Sequence, residues 1–403
     1  MNKKSPKKIV LAYSGGLDTS VILTWLKEQY DADVVACYVD VGQREDGPAV
    51  RKKAFKTGAS AYFAPEVSSE YVTDYLWPAL KAHATYEHKY LLGTSLARPL
   101  IAQKVVEVAR KVKADAVCHG ATGKGNDQVR FELTFAALAP DLQIIAPWRT
   151  WDFKGREDLL DYAASHGIPV PVSKKRPYSS DANLWHISHE GGILEELDQP
   201  VPEDVYEWTV SPEKAPSKPQ DITIGFVKGV PVTLNKKKVS PVEMVVTLNA
   251  IGGRHGIGRV DLVENRLVGL KSRGIYECPG ATILYAAHRE LETLALDRDT
   301  LHYKEQLGPK FGELTYNGQW FTPLRESLQT LIDKTQQNVT GDVTLRLYKG
   351  NLEIRSRRCA KSLYSKDWVT FEADDLYNQA DATGFIRLFG LPIKMQALLH
   401  RGK

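Results

Sequence analysis

The chain has 403 residues, 43% of them apolar and 25% charged, with a formal net charge of only +4. That length predicts two domains plus an appendage, and so small a basic excess, scattered along the chain, argues against a nucleic-acid partner. The four cysteines, Cys37, Cys118, Cys278 and Cys359, are far apart and form no CxxC pair. Neither a zinc site nor a dithiol redox site is indicated, and a reducing compartment fits. There is no apolar signal core at the N-terminus and no apolar run of about 18 residues, so a cytoplasmic chain with no membrane contact is expected. Lys3, Lys4, Lys7 and Lys8 read as a solvated tail.

The first part of the chain alternates strand-like and helix-like segments. Ile9 to Tyr13 is a short apolar run ending at a glycine pair, as a buried strand does. Thr19 to Gln29 carries a helical stripe of Val21, Ile22, Trp25 and Leu26. Val34 to Val39 is a second strand, and Ala49 to Thr57 a charged helix stopped by Gly58. Ala61 to Ala64 is a third, weaker strand, and Ser95 to Lys113 a long helix. Ala116 to Cys118 and Gln143 to Ala146 complete the strands, and Leu159 to His166 the helices. This alternation predicts an α/β domain, a parallel sheet covered on both faces.

The pattern changes at Pro169-Val170-Pro171. Beyond it strands shorten and turns gain Gly and Pro, which reads as α+β. Pro212, Pro216 and Pro219 mark a linker stretch. Val343 to Tyr348 and Leu352 to Ile354 flank Lys349-Gly350-Asn351, a predicted hairpin with a three-residue loop. From about Asp367 an amphipathic tail follows, with Leu376, Tyr377, Ala380, Phe385, Ile386 and Phe389, then Pro392. Its apolar face must cover either the chain's own core or a neighbour's. The expected domains are 1–172, the parallel-sheet α/β domain; 173–366, the α+β domain; and 367–403, an oligomerisation tail.

Ser14-Gly15-Gly16-Leu17-Asp18-Thr19-Ser20 lies between the first strand and the first helix. Unpaired N–H groups and the positive end of the helix dipole converge there, and two glycines let the backbone approach an anion closely. Ser14, Thr19 and Ser20 add hydroxyls. Asp18 reads as a helix cap or a magnesium contact. A plain glycine turn with a serine cap is the bland alternative. The Gly-Lys-Ser/Thr ending of a Walker loop and the GxGxxG fingerprint are both absent. The string resembles the PP-loop of the ATP-pyrophosphatase superfamily, and that resemblance implies ATP cleaved to AMP and pyrophosphate.

A second polar cluster, His119 to Arg130, follows the Ala116–Cys118 strand directly. Ligands of open α/β sheets bind outside the carboxyl ends of the strands, where both loops lie. Thr122, Asn126, Asp127 and Arg130 supply a hydroxyl, an amide, a carboxylate and a guanidinium, suited to a zwitterionic amino acid. A solvated loop capped by Asn126 or Asp127 is the alternative. The whole string is similar to the argininosuccinate synthase family. So are Tyr90 to Pro99, Asn183 to Ser188, Gly256 to Asp261, Val263 to Arg266 and Lys271 to Glu277, in order, within a match from about Ile9 to Pro392.

The resemblance implies the following contacts. ATP would meet Ala12, Tyr13, Ser14, Gly15, Gly16, Leu17, Asp18, Thr19, Ser20, Val39 and Gly120. Val39 stands where many members have Ala. Aspartate would meet Thr122, Asn126 and Asp127. Citrulline would meet Tyr90, Ser95, Asn126, Arg130, Ser179, Ser188, Glu264 and Tyr276. The implied reaction joins L-citrulline to L-aspartate through citrullyl-AMP, with magnesium shielding the pyrophosphate, in a homotetramer. No catalytic nucleophile or general base is assigned, and no protein metal-ligand set. His186 and His189, at i,i+3, come nearest to one. A PP-loop tRNA-modifying enzyme is the alternative, disfavoured by isolated cysteines and weak net charge.

Overall fold

The computed structural model describes residues 5–43, 45–123, 125–169, 178–369 and 378–401. Lys3, Lys4, Lys124, Val170, Pro171, the expected boundary at 172/173, Leu376 and Tyr377 lie outside the described residues. The chain divides into two compact units, Met1–Lys361 and Ser362–Lys403. The parallel-sheet part and the α+β part both fall within the first.

Five parallel strands open that unit: β1 Lys8–Ala12, β2 Asp33–Cys37, β3 Ala61–Phe63, β4 Ala116–Cys118 and β5 Gln143–Ile145. Their order is β3-β2-β1-β4-β5. The chain therefore leaves β1 to one side for β2 and returns to its other side for β4. That reversal opens a crevice at the carboxyl end of β1. Strand alternation feeds two cores. Ile9 and Leu11 pack with the helices Leu17–Tyr30, Gly47–Lys56 and Arg156–Ser165. Val10 and Ala12 face the opposite layer, which holds the long helix Gly93–Val112.

Two antiparallel sheets follow. One is formed by β6 Ser179–Ala182, β7 Ile187–Glu190, β11 Arg259–Asn265 and β12 Lys271–Glu277, in the order β11-β12-β7-β6. The other is formed by β8 Gln220–Val227, β9 Val230–Leu234, β10 Lys237–Lys238, β13 Gly341–Tyr348 and β14 Asn351–Cys359, in the order β10-β9-β8-β13-β14. Helices Pro241–Arg254 and Pro279–Ala295 cover the second sheet. The β13–β14 turn corrects the expected three-residue loop: Tyr348 pairs with Asn351, leaving Lys349 and Gly350 alone in the turn. Both have positive φ, 45° and 81°, the twist that a two-residue hairpin demands.

In the second unit, helices Asp381–Phe389 and Leu391–Arg401 leave Phe385, Ile386, Leu388, Phe389, Ile393 and Leu399 exposed. Pro392 does not follow the amphipathic segment as a stop. It sits in the first turn of the last helix, where its missing N–H costs nothing.

Glu277, fully buried at the end of β12, fastens the first antiparallel sheet to the segment at 207–209. It accepts hydrogen bonds from His189 Nε2, the backbone N–H groups of Glu207, Trp208 and Thr209, and the Thr209 hydroxyl, at 2.6–3.0 Å. Burial raises a carboxyl's pKa, but these donors outweigh it and hold Glu277 below the ordinary range. Its stabilisation is complete above about pH 5 and is lost as the pH falls through that lowered value. Glu277→Gln turns an amide NH2 toward donors and should destabilise the fold by about 3 kcal/mol. Urea unfolding of the two proteins at pH 7 measures the difference.

Candidate active site

Residues 13–16 leave β1 and enter the helix Leu17–Tyr30. Gly15 has φ +80°, and a Cβ there would lie 3.1 Å from Val50, so only glycine fits both the turn and the packing. The loop is braced from within. The Ser14 and Thr19 hydroxyls are 3.1 Å apart, and the Gly16 N–H donates to Ser14 Oγ. Ser20 turns inward: its hydroxyl donates to the Gly16 carbonyl at 2.7 Å and lies 3.2 Å from Tyr13 OH. Lys53, which the sequence reading did not single out, donates to the Gly15 carbonyl at 2.6 Å. Asp18 is not the cap: Gly16 holds that position, and Asp18 stands in the first helical turn. Its carboxylate lines the cavity above the loop, and burial raises its pKa while Arg156 lowers it.

That cavity measures about 540 Å³. Ala12, Tyr13, Ser14, Gly16, Asp18, Thr19, Val39 and Gly120 line it; Gly15, Leu17 and Ser20 stand behind the lining. Val39 is buried, and its carbonyl accepts from Gln43 Nε2.

A second cavity, about 290 Å³, adjoins the first. Tyr90, Thr122, Asn126, Asp127, Arg130, Ser188, Glu264 and Tyr276 line it. Ser188 pairs with Tyr276 across β7 and β12, and Glu264 lies on the next strand. Because side chains alternate along strands, these three share one face. Gly274, also in that face, has no Cβ because the Tyr276 hydroxyl would lie 2.6 Å from it. The Tyr276 hydroxyl therefore reaches Glu264 Oε1, at 3.0 Å. Glu264 Oε2 is buried with no hydrogen-bond partner, and burial raises this carboxyl's pKa against the lowering pull of Tyr276 and Arg130. Aromatic rings brace the wall: Tyr90 stacks on Tyr276 at 4.5 Å, and Tyr316 stacks on Tyr86 at 3.6 Å.

Asn126 occupies the N-cap position of the helix Asp127–Leu138, yet its side chain makes no cap. Nδ2 donates to Tyr316 OH at 2.8 Å, and Oδ1 accepts from the Leu267 N–H at 2.9 Å. Asp127 does not cap either. One oxygen accepts from Arg130 and the other from Arg98, both at 2.8 Å. Burial works against that carboxylate's charge, and the two guanidinium groups still hold it below the ordinary range. Arg130 also donates to the Tyr316 carbonyl at 3.0 Å and lies over the Tyr316 ring.

Arg98 is the residue that sequence reasoning quoted without giving it a role. It bridges Asp127 and Asp181, the latter at 2.6 Å. Arg98, Gly120, Ala121, Asp127 and Asp181 line both cavities and form their common wall. Two further positions stand apart. Ser95 is buried, its Oγ has no hydrogen-bond partner, and it lines neither cavity. Ser179, exposed and paired with Glu190 in β6, lines neither. His186 and His189 do not converge. His186 lies 3.0 Å from Thr94 Oγ1, while His189 contacts Ser180 and Glu277.

Two family models match the chain: the arginosuccinate synthase N-terminal HUP domain over residues 8–169 and the arginosuccinate synthase C-terminal domain over 178–396. Among curated relatives, an argininosuccinate synthase of Carboxydothermus hydrogenoformans is 60% identical over 395 residues, covering 98% of each chain. One of Acetivibrio thermocellus is 59% identical over 401 residues, covering 98% of this chain and 99% of its own. One of Endomicrobium trichonymphae is 57% identical over 397 residues, covering 98% and 96%. None of these supports the tRNA-modifying alternative. Two abutting polar cavities at the carboxyl end of a doubly wound sheet, and likeness along almost the whole length, place the chain in one group: it belongs to the argininosuccinate synthase family.

Proposed function

We propose that this chain condenses L-citrulline with L-aspartate at the expense of ATP, a reaction that makes the argininosuccinate for which its relatives are named. The ureido oxygen of citrulline attacks the α-phosphorus, giving citrullyl-AMP and pyrophosphate. The aspartate amine then displaces AMP, giving argininosuccinate. The observation that carries this reading is the common wall. A nucleotide in the larger cavity and an amino acid in the smaller one would meet across Gly120 and Ala121, beside the Arg98 guanidinium.

The larger cavity takes ATP through Ala12 to Ser20, Val39 and Gly120, with the outer phosphates over the Gly15-Gly16 bend and the adenosine against the Val39 backbone. Lys53 adds a cation behind that bend. The smaller cavity takes citrulline against Tyr90, Asn126, Arg130, Ser188, Glu264 and Tyr276. Ser95 and Ser179, which line neither cavity, have no direct contact in this reading. Thr122, Asn126 and Asp127 take aspartate. Because Asp127 already receives two guanidinium groups, the Asn126 amide and the Thr122 hydroxyl carry the direct contacts. Positioning and charge neutralisation, each of several kcal/mol, lower the barrier without a protein nucleophile.

Magnesium fits this donor set. Asp18 offers a hard oxygen in the cavity, and such an ion commonly combines one or two carboxylates with substrate phosphates. It would neutralise charge on the departing pyrophosphate. Residues 1–172 thus hold the nucleotide and, through Tyr90 and the Thr122–Arg130 segment, part of the amino-acid site, which 173–366 complete with Ser188, Glu264 and Tyr276. The exposed apolar face of the tail from 367 joins copies into a homotetramer. No helix among the described residues is long and apolar enough to cross a membrane, and the buried free thiols suit the reducing cytoplasm.

Incubation with ATP, citrulline and aspartate should yield AMP and pyrophosphate, resolved by chromatography; ADP as the product would overturn the reading. Asp18→Asn should lower kcat at least about tenfold with little change in melting temperature; a variant with full turnover removes Asp18 from the phosphate site. Glu264→Gln, nearly isosteric, should raise the citrulline KM about tenfold or more while ATP binding is unchanged. The wild-type citrulline KM should rise in acid as the Glu264 carboxylate protonates, and the Gln variant should lose that dependence. Deletion of the tail from Asp367 should lower the oligomeric state, read by light scattering as a mass well below four truncated chains; a retained tetramer would remove the tail from the interface.

A further inference from the structure

We propose that His83, His288 and Glu292 form a site for a divalent cation of the zinc class, apart from both substrate cavities. The helix Pro279–Ala295 carries His288 and Glu292 four residues apart, hence on one face. His83 comes from a different element. It ends the helix Trp77–Ala82 in the left-handed conformation, φ 51°, which turns its ring toward that face.

Three ligand atoms converge. His83 Nε2 lies 2.8 Å from His288 Nδ1 and 3.4 Å from Glu292 Oε2; the latter two are 3.9 Å apart. The point equidistant from all three is about 2.0 Å from each, the bond length of zinc to imidazole nitrogen or carboxylate oxygen, but it lies in their plane; tetrahedral binding requires the His83–His288 pair to open from its hydrogen-bond distance of 2.8 Å.

The surrounding hydrogen bonds fix the donors. Gln336 Nε2 donates to Glu292 Oε1 at 2.6 Å, so Gln336 Oε1 accepts from His288 Nε2, at 2.9 Å. His288 therefore carries its proton on Nε2 and presents a bare Nδ1 lone pair to the gap. Such outer partners orient metal-bound histidines. Burial pushes the His288 pKa down to about 4 and that of His83 well below its usual range, so both rings are neutral. His83 Nε2 then carries the proton it donates to His288 Nδ1 at 2.8 Å, and a bound cation takes that proton's place once His83 shifts it to Nδ1. A cavity of about 460 Å³, lined by His83, Glu292 and Lys304, gives access and room for a water as fourth ligand. Lys304 Nζ now balances the carboxylate, 3.0 and 3.1 Å from its two oxygens. A bound cation would displace it from Oε2.

The test is titration of the chelator-treated full-length chain with zinc chloride, with metal content read by mass spectrometry after desalting. One zinc per chain is expected, with affinity reduced at least about tenfold in His288→Gln and in Glu292→Gln. His83→Gln, at a partly exposed position, carries the same test if those variants do not fold. Lys304→Met removes the competing ammonium. It should bind zinc more tightly than wild type, and its melting temperature should become zinc-dependent. Undiminished zinc binding in the folded histidine variants overturns the proposal. So does failure of both wild type and Lys304→Met to retain zinc.

Discussion

Arg98 places its guanidinium between two carboxylates, 2.8 Å from Asp127 and 2.6 Å from Asp181. Three elements meet in that contact: the helix Gly93–Val112, the helix Asp127–Leu138 and β6. The first two belong to the parallel-sheet part and the third to the antiparallel part. Arg130 closes the network from the far side of Asp127. A half-buried carboxylate between two guanidinium groups has little freedom, because each bond is charge-assisted. These ion pairs tie together the wall shared by the two cavities.

This wall also sets what the chemistry needs from the protein. With a nucleotide in the larger cavity and an amino acid in the smaller, as proposed, the reactants would supply their own nucleophiles. What remains is to hold them and to meet the charge that leaves. The loop at Ser14–Thr19 suits that task because its own hydroxyls bond one another and keep the bend in shape. Preorganisation of this kind avoids the cost of ordering donors at the moment of reaction.

Much of this was legible in the sequence, for physical reasons. The first parallel strands are short apolar runs ended by Gly or polar loops, and their helices carry simple apolar stripes. The phosphate loop is local, so its residues are neighbours in sequence and in space. The segment Ser68–Ala82 was not legible. It forms a helix with a π-helical stretch at Tyr71–Leu76, and Pro78 stands inside it, against the usual reading of proline as a break. Pro99 and Pro309 likewise sit within helices. Arg98, Lys53 and Tyr316 have no local signature, because each acts on partners brought together by the fold. The same holds for His83, His288 and Glu292. A search for paired histidines stops at His186 and His189, which point to different partners.

Two carboxylates in one sheet show how partner count separates a binding group from a structural one. Glu264 in β11 and Glu277 in β12 are both buried. Glu277 receives five hydrogen bonds across its two oxygens, and its pKa is lowered despite its burial. Glu264 accepts from Tyr276 at Oε1 and has no close donor at Oε2, and burial raises its pKa despite the lowering pull of Tyr276, Arg130 and Tyr316. Burial opposes the charge of both, so the difference lies in the donors. A buried oxygen with no donor costs roughly 1–3 kcal/mol. A ligand N–H group seated in the cavity would remove that cost. Glu264 faces the cavity with that vacancy, whereas Glu277 is already spent on the segment at 207–209. Among the described residues, Glu264 is the one carboxylate with a buried oxygen that lacks a hydrogen-bond partner, and it lines the smaller cavity.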